Sequence, residues 1–270
     1  YLSYTANAKN YVSMADSLYF KPGWLDNIQN GIQHRIPITM PIKLFKYITW
    51  TTSATITDRM YFRYYDKQWV EDPSMSAGGY LKTDTINQFR NVFSFDVTTS
   101  LTTKIYGQVN FKKGPIRAIR HVFTPSVSFS YAPDFGQSRY GYYDTYTYTD
   151  ERGEVRTVEY SPYQGMAFGV PGKGMQKSFN FAIDNNVEMK IKSDKDTTGV
   201  RKISLIDQLS ANISYNAAAQ TRPWSDLSMN LRLKLTKSYT FNMNASFATY
   251  AYQYDERGNI VVGDRTEWSY

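Results

Sequence analysis

The chain has 270 residues, no cysteine, 24 tyrosines and 15 phenylalanines, a net charge of +7 and a mean hydropathy of −0.52. A disulfide framework and any thiolate metal or redox site are thereby excluded, and no run of about 18 apolar residues is present to cross a membrane as a helix. The averaged hydropathy does not exclude a membrane protein, because a transmembrane barrel hides its apolar residues in every second position.

The positive balance would suit nucleic acid, acidic lipid or a phosphorylated glycolipid. Its Lys and Arg are spread through turns and polar strand faces without a dense block, which reads as solvated surface, and no nucleic-acid partner is expected. Tyr1 follows no Met, basic or apolar leader, and Glu267–Tyr270 ends the chain strand-like. The expectation is a piece of a longer protein, residues 1–270 being one segment of a β domain with no separate soluble domain.

In chain order, Tyr1–Ala8 and Tyr11–Phe20 read as short strands, followed by turn chemistry at Pro22-Gly23, Asn27, Asn30 and Gly31. Residues Ile32–Met40 form a short strand, which Pro37 and Pro41 should leave imperfectly paired. A turn through Leu44–Lys46 leads to a long run, Tyr47–Tyr65, in which Ile48, Trp50, Thr52, Ala54 and Ile56 alternate with Thr and Ser. Glu71–Gln88 reads as a polar loop. From Asn91 to Phe111 the odd positions stay mostly apolar and the parity never slips, which predicts one strand about 65 Å long. A soluble sandwich seldom holds a strand beyond about 10 residues.

The strand His121–Ala132 precedes the longest connection, Pro133–Gln176, which carries its own hairpin turned at Glu151–Gly153. Strands Lys177–Lys192, Ser204–Asn216, Leu227–Thr236 and Tyr239–Gln253 follow. A second DERG turn stands at Asp255–Gly258, its glycine supplying a positive φ. Asp226–Tyr252 has the clearest period of two. Leu227, Met229, Leu231, Leu233 and Leu235 alternate with Ser228, Asn230, Arg232, Lys234 and Thr236. After a turn at Lys237-Ser238, Tyr239, Phe241, Met243, Ala245 and Phe247 alternate with Thr240, Asn242, Asn244, Ser246 and Ala248. A period of two is a strand with one apolar and one polar face.

Long and short connections alternate along about 11 strands, as in an up-and-down antiparallel transmembrane β-barrel of which this chain is a fragment. Tyr47, Trp50, Tyr61, Phe62, Tyr64, Tyr65, Trp69 and Tyr131 cluster near strand ends like interfacial girdles. Catalysis finds no support: the only histidines, His34 and His121, sit at strand ends, and no acid, base and nucleophile share a recognisable spacing. Asp194, Asp196 and Asp207 lack the spacing of a calcium loop, and Gly169–Gly174 (GVPGKG) lacks the following Ser/Thr of a phosphate cradle. No enzyme activity, metal or cofactor is expected.

The stretch RAIRHVFTPSVSFSYAPDFG (Arg117–Gly136) resembles the barrel domain of the LptD family in its Bacteroides-type form. So do HRIPITMP (His34–Pro41), TTKIYG (Thr102–Gly107), NNVEMKIK (Asn185–Lys192) and ISYN (Ile213–Asn216). The resemblance implies a wall segment of a barrel of about 26 strands that inserts lipopolysaccharide into the outer leaflet of the Gram-negative outer membrane. It also implies an LptE-like plug lipoprotein as partner, and a periplasmic Lpt bridge reached through an N-terminal domain outside this chain. On that reading Asn230, Arg232, Lys234, Asn242 and Asn244 face the lumen and offer donors to lipopolysaccharide. Leu231, Leu233, Phe241 and Met243 face outer-membrane lipid. The alternatives are a general porin or TonB-dependent-type nutrient-uptake barrel, or a secreted carbohydrate-binding β-sandwich.

Overall fold

The computed structural model describes every residue except 13, 25–27, 76–77, 151, 194–198, 237 and 267–270. Strands make up 66% of the chain and helix 3%, so the fold is all-β as expected. The strands are β1 (Thr5–Tyr11), β2 (Gln29–Leu44), β3 (Ile48–Tyr61), β4 (Tyr64–Glu71), β5 (Gly79–Ile86), β6 (Arg90–Thr103), β7 (Ile105–Asn110) and β8 (Ile116–Ala132). Then come β9 (Asp144–Thr149), β10 (Val155–Tyr160), β11 (Gln176–Lys192), β12 (Val200–Asn216), β13 (Leu227–Lys234), β14 (Thr240–Phe247), β15 (Tyr250–Tyr254) and β16 (Ile260–Thr266).

Ten of them form one sheet in the order β1-β2-β3-β6-β8-β11-β12-β13-β14, with β7 also on β8. Hairpins β4–β5, β9–β10 and β15–β16 stand apart from it. Apart from the excursions through hairpins β4–β5 and β9–β10, sheet neighbours follow chain order, which is the up-and-down order of a barrel wall.

Several boundaries differ from the sequence reading. Tyr11–Phe20 is not a strand: β1 ends at Tyr11 and Asp16–Leu18 make a 3-10 turn. Strand β2 runs on through both prolines. Pro37 accepts from the Ser3 N–H at 3.2 Å and lacks only the donor half of that pair. The run Tyr47–Tyr65 breaks after Tyr61, and the segment Glu71–Gln88, expected to be a polar loop, holds strand β5, which pairs with β4 (Tyr64–Glu71) as a hairpin. The long strand from Asn91 pauses only at Lys104. Ile105 pairs with Phe123, and Thr98 meets Ser130 in the same register, so both halves lie along β8. Tyr239–Gln253 divides into β14 and β15. Asn27, Glu151, Asp194, Asp196, Lys237 and Glu267–Tyr270 lie outside the described residues.

The chain forms two compact units. The first comprises Tyr1–Thr39, Ser53–Val97 and Ala132–Met175. Its core is aromatic: Tyr61, Val92, Phe135, Tyr142, Tyr163 and Met166 are buried together, with Tyr64 and Tyr65 packed against them. Tyr61, Tyr64 and Tyr65 therefore belong to a protein core and not to an interfacial girdle. The 133–175 segment supplies most of this cluster and closes it with hydrogen bonds. Tyr61 donates to the Gly169 carbonyl at 2.6 Å, and Tyr142 accepts from the Phe93 N–H at 2.8 Å while donating to its C=O at 2.7 Å. That phenol takes both backbone groups where β8 has ended and β6 would present a bare edge. Burial raises the Tyr142 and Tyr163 hydroxyls above the ordinary phenol pKa.

The second unit comprises Met40–Thr52, Thr98–Tyr131 and Gln176–Tyr270. It is built almost entirely from cross-strand pairs. Its two-residue turn at Phe45-Lys46 holds both residues at positive φ (49° and 66°).

Candidate functional site

Alternation along β13 and β14 sorts their side chains once the register is set. Leu227 stands opposite Phe247, Met229 opposite Ala245, Leu231 opposite Met243 and Leu233 opposite Phe241. Between them, Ser228 pairs with Ser246, Asn230 with Asn244, Arg232 with Asn242 and Lys234 with Thr240. All five polar candidates thus share one face and all four apolar ones the other. Strand β12 continues both rows, placing Ser210 beside Asn230 and Leu209 beside Leu231. The apolar row lacks a cover: Phe241 is 41% and Met243 49% exposed, and none of the nine buried hydrophobic residues lies in β13 or β14.

The polar face carries a charge cluster centred on Asp207. Arg232 Nε donates to its Oδ2 at 2.5 Å, and Lys234 Nζ lies 3.3 Å from its Oδ1. The Asp207 side chain is 12% exposed whereas Arg232 and Lys234 remain 44% and 56% exposed, so the cations keep open sides. Two cations on one carboxylate leave a surplus positive charge available to an anion. Around it stand neutral amides: Asn230 bonds Asn244, and Gln208, opposite Arg232, donates to Asp184 at 2.9 Å.

Asp207 and Gln208 are consecutive, yet both reach polar-face partners, which a regular strand forbids. Register shifts in the β11–β12 pairing, between Asn185 and Val187 and again before Glu188, supply the bulge that re-aims one of them. Asn186 pins it, its Nδ2 donating to the Asp207 carbonyl at 2.8 Å. Beyond the bulge, Lys190 stands directly opposite Lys202, an arrangement that destabilises a bare sheet and favours an anion near it. Strict alternation could not have revealed Asp207 as the partner of Arg232; a Lys pair in register was equally hidden.

The other sequence candidates resolve as structure. His34 Nδ1, in β2, meets Tyr4 Oη just before β1 at 2.6 Å, and His121 Nε2, in β8, meets Asn185 Oδ1 of β11 at 3.0 Å, so each ring takes part in a hydrogen bond within the fold. In the GVPGKG segment, Lys173 ion-pairs with Glu159 and covers the Tyr143 ring at 4.4 Å. The Gly174 N–H is spent on Asp134 Oδ1 at 2.7 Å. The Lys173 ammonium and the Gly174 N–H are thus engaged by protein. Among the described residues, no group of three His, Asp or Glu could hold a metal ion.

No curated protein and no solved structure matches the chain. The model of a family described as LptD protein matches residues 1–250. With that match across most of its length, the chain belongs to the LptD protein family.

Proposed function

We propose that this chain forms part of the wall of an outer-membrane β-barrel that delivers lipopolysaccharide to the outer leaflet. Its apolar face would meet lipid and its polar face the lumen. One observation carries the reading beyond family membership. The β13–β14 register keeps Leu231, Leu233, Phe241 and Met243 together on an uncovered face, and Asn230, Arg232, Lys234, Asn242 and Asn244 on the opposite one. A water-soluble sandwich would have to bury the first set against a second sheet. A general porin or nutrient-uptake barrel shares the faces but not the family.

On the lumenal side, Arg232 and Lys234 supply the donors for lipid A phosphate, with Asp207 holding both in place. Asn242 and Asn244 present amides to sugar hydroxyls. An LptE-like plug and a periplasmic Lpt bridge are the partners this role requires, the second reached through a domain outside this chain.

The test is charge reversal of Arg232 and Lys234 to Glu in the full-length protein, followed by assay of lipopolysaccharide at the cell surface. Charge-assisted hydrogen bonds contribute about 1.5–3 kcal/mol each, so delivery should fall about tenfold or more, while Asp207→Asn, which keeps both cations, should fall less. Normal delivery by the doubly reversed protein would remove the lumenal role.

A further inference from the structure

The first unit holds a pocket of its own. Tyr64 and Asp66 at the start of β4, Arg90 and Asn91 at the start of β6, Asp144 and Tyr163 line a cavity of about 640 Å³, within the range of small-ligand sites. Part of its wall is a buried phenol with nothing to bond. Tyr163 is 5% exposed, and its ring stacks on that of Tyr61 with centroids 5.4 Å apart. The other buried tyrosines use their hydroxyls within the protein. Tyr61 donates to Gly169, Tyr142 to Phe93 and Tyr160 to Asp66, while Tyr250 accepts from the Trp224 N–H at 2.8 Å. Among the described residues, the Tyr163 hydroxyl makes no hydrogen bond, an exception to the rule that buried polar groups are paired.

The rest of the wall repeats that pattern. Arg90 lies over the Tyr64 ring, 4.8 Å from its centroid, and its side chain makes only a long hydrogen bond to the Tyr64 oxygen at 3.4 Å. Among the described residues no carboxylate pairs with it, although Asp66 and Asp144 line the same cavity. Asp144 engages Oδ1 with the Thr145 N–H at 2.7 Å, which leaves Oδ2 open, and the Asn91 side-chain amide is open too. Asp66 is held in place by Gln68 and Tyr160, at 3.0 and 3.3 Å. Phe89, 53% exposed, and Tyr140 add ring surface.

These groups fix the chemistry of an occupant. Two carboxylates repel an anion, and the guanidinium opposes a cation. A hydrocarbon ligand would desolvate the open hydroxyl, amide and carboxylate without bonding them. What satisfies both demands is a neutral molecule with hydroxyls around its rim and C–H groups on its face. A pyranose lays such a face on an aromatic ring, and each of its hydroxyls both donates and accepts.

We propose that this pocket binds a neutral oligosaccharide, a hexose resting on the aromatic lining with its hydroxyls on Tyr163 Oη, Arg90, Asn91 and Asp144. The lining lies wholly in the first unit, so the proposal stands apart from the assignment of the β13–β14 apolar face to lipid.

The full-length protein in an amine-oxide detergent, whose headgroup cannot compete as a glucoside would, tests it by saturation-transfer NMR. The probes are maltotriose, cellotriose and mannotriose, with trigalacturonate as the anionic counterpart. At least one neutral trisaccharide should bind with a Kd of about 1 mM or tighter, and trigalacturonate should bind more weakly. Tyr163→Phe keeps the buried ring and removes only the open hydroxyl. It should weaken the neutral sugar about threefold to tenfold with thermal unfolding unchanged, which separates lost binding from lost fold. Arg90→Ala should weaken it at least as much, and Asp144→Asn should narrow the gap between trigalacturonate and the neutral sugars. No binding of any neutral trisaccharide at about 10 mM, unchanged affinity in Tyr163→Phe, or trigalacturonate bound as tightly by the unaltered protein overturns the proposal.

Discussion

Leu233 and Arg232 are neighbours in sequence and meet opposite requirements. Leu233 stands against Phe241 on the uncovered face, and Arg232 stands against Asn242 with its guanidinium on Asp207. On the proposed reading, Leu233→Arg places a charge in hydrocarbon and should cost about 2–4 kcal/mol at mid-bilayer depth. Asn230→Arg, on the polar face, should fall within about 0.5 kcal/mol. Guanidinium unfolding of both variants in lipid vesicles measures the difference, and equal losses would mean that the two faces see the same solvent. The face of each candidate was readable from alternation. The carboxylate between Arg232 and Lys234 was not, because Asp207 reaches them only through a bulge, and a bulge leaves no mark in a two-residue period.

At the level of elements, the repeated DERG turns behave as their chemistry requires. In β9–β10, Asp150 Oδ1 accepts from the Arg152 and Glu154 N–H groups at 3.0 and 2.9 Å, and Gly153 has φ 77°. In β15–β16, Asp255 Oδ1 accepts from Arg257 and Asn259 at 2.9 and 2.8 Å, and Gly258 has φ 76°. Gly153→Ala puts a Cβ into the left-handed region and should cost its hairpin about 1–2 kcal/mol, read as faster amide exchange in β9–β10 alone. The hydrogen bond from Arg156, then that from the Glu154 N–H, hold the Asp150 carboxyl below its usual range. A depressed folded-state pKa contributes stability above the unfolded value and loses it as pH falls through the folded one. Acid should therefore loosen this turn only below the ordinary aspartate range, near pH 4, and Asp150→Asn should abolish that step.

Strands such as β11 to β14 were legible because one face is apolar and the other polar. The β4–β5 hairpin was not: Tyr80 and Leu81 are consecutive and both exposed, so β5 carries no one-sided period. The break between β14 and β15 was equally silent. It depends on Thr249, fully buried, donating its hydroxyl to the Ser225 carbonyl at 2.6 Å and its N–H to Asp226 at 3.3 Å, contacts more than twenty residues away in sequence.

For the molecule as a whole, the deciding quantity is how its apolar side chains are distributed between protein and solvent. Among the described residues, nine hydrophobic residues are buried and thirty-eight large ones are exposed. A water-soluble domain of this length depends on burying apolar surface at about 25 cal/mol per Å² to offset chain entropy, and nine buried residues cannot supply that. Backbone pairing does not fill the gap, since a hydrogen bond exchanged with water contributes only about 0.5–1.5 kcal/mol net. In hydrocarbon the balance reverses. The exposed rows on β13 and β14 become the favourable surface, and unpaired backbone becomes costly enough to hold the ladder together. The fold should therefore persist only in detergent micelles or bilayers. There, the β13–β14 amides, Leu227 to Lys234 and Thr240 to Phe247, should exchange slowly, and removal of the amphiphile should bring their loss of protection together with aggregation. A monomer in plain buffer that kept those amides protected would show that water suffices, and the assignment of Leu231, Leu233, Phe241 and Met243 to lipid would fall with it.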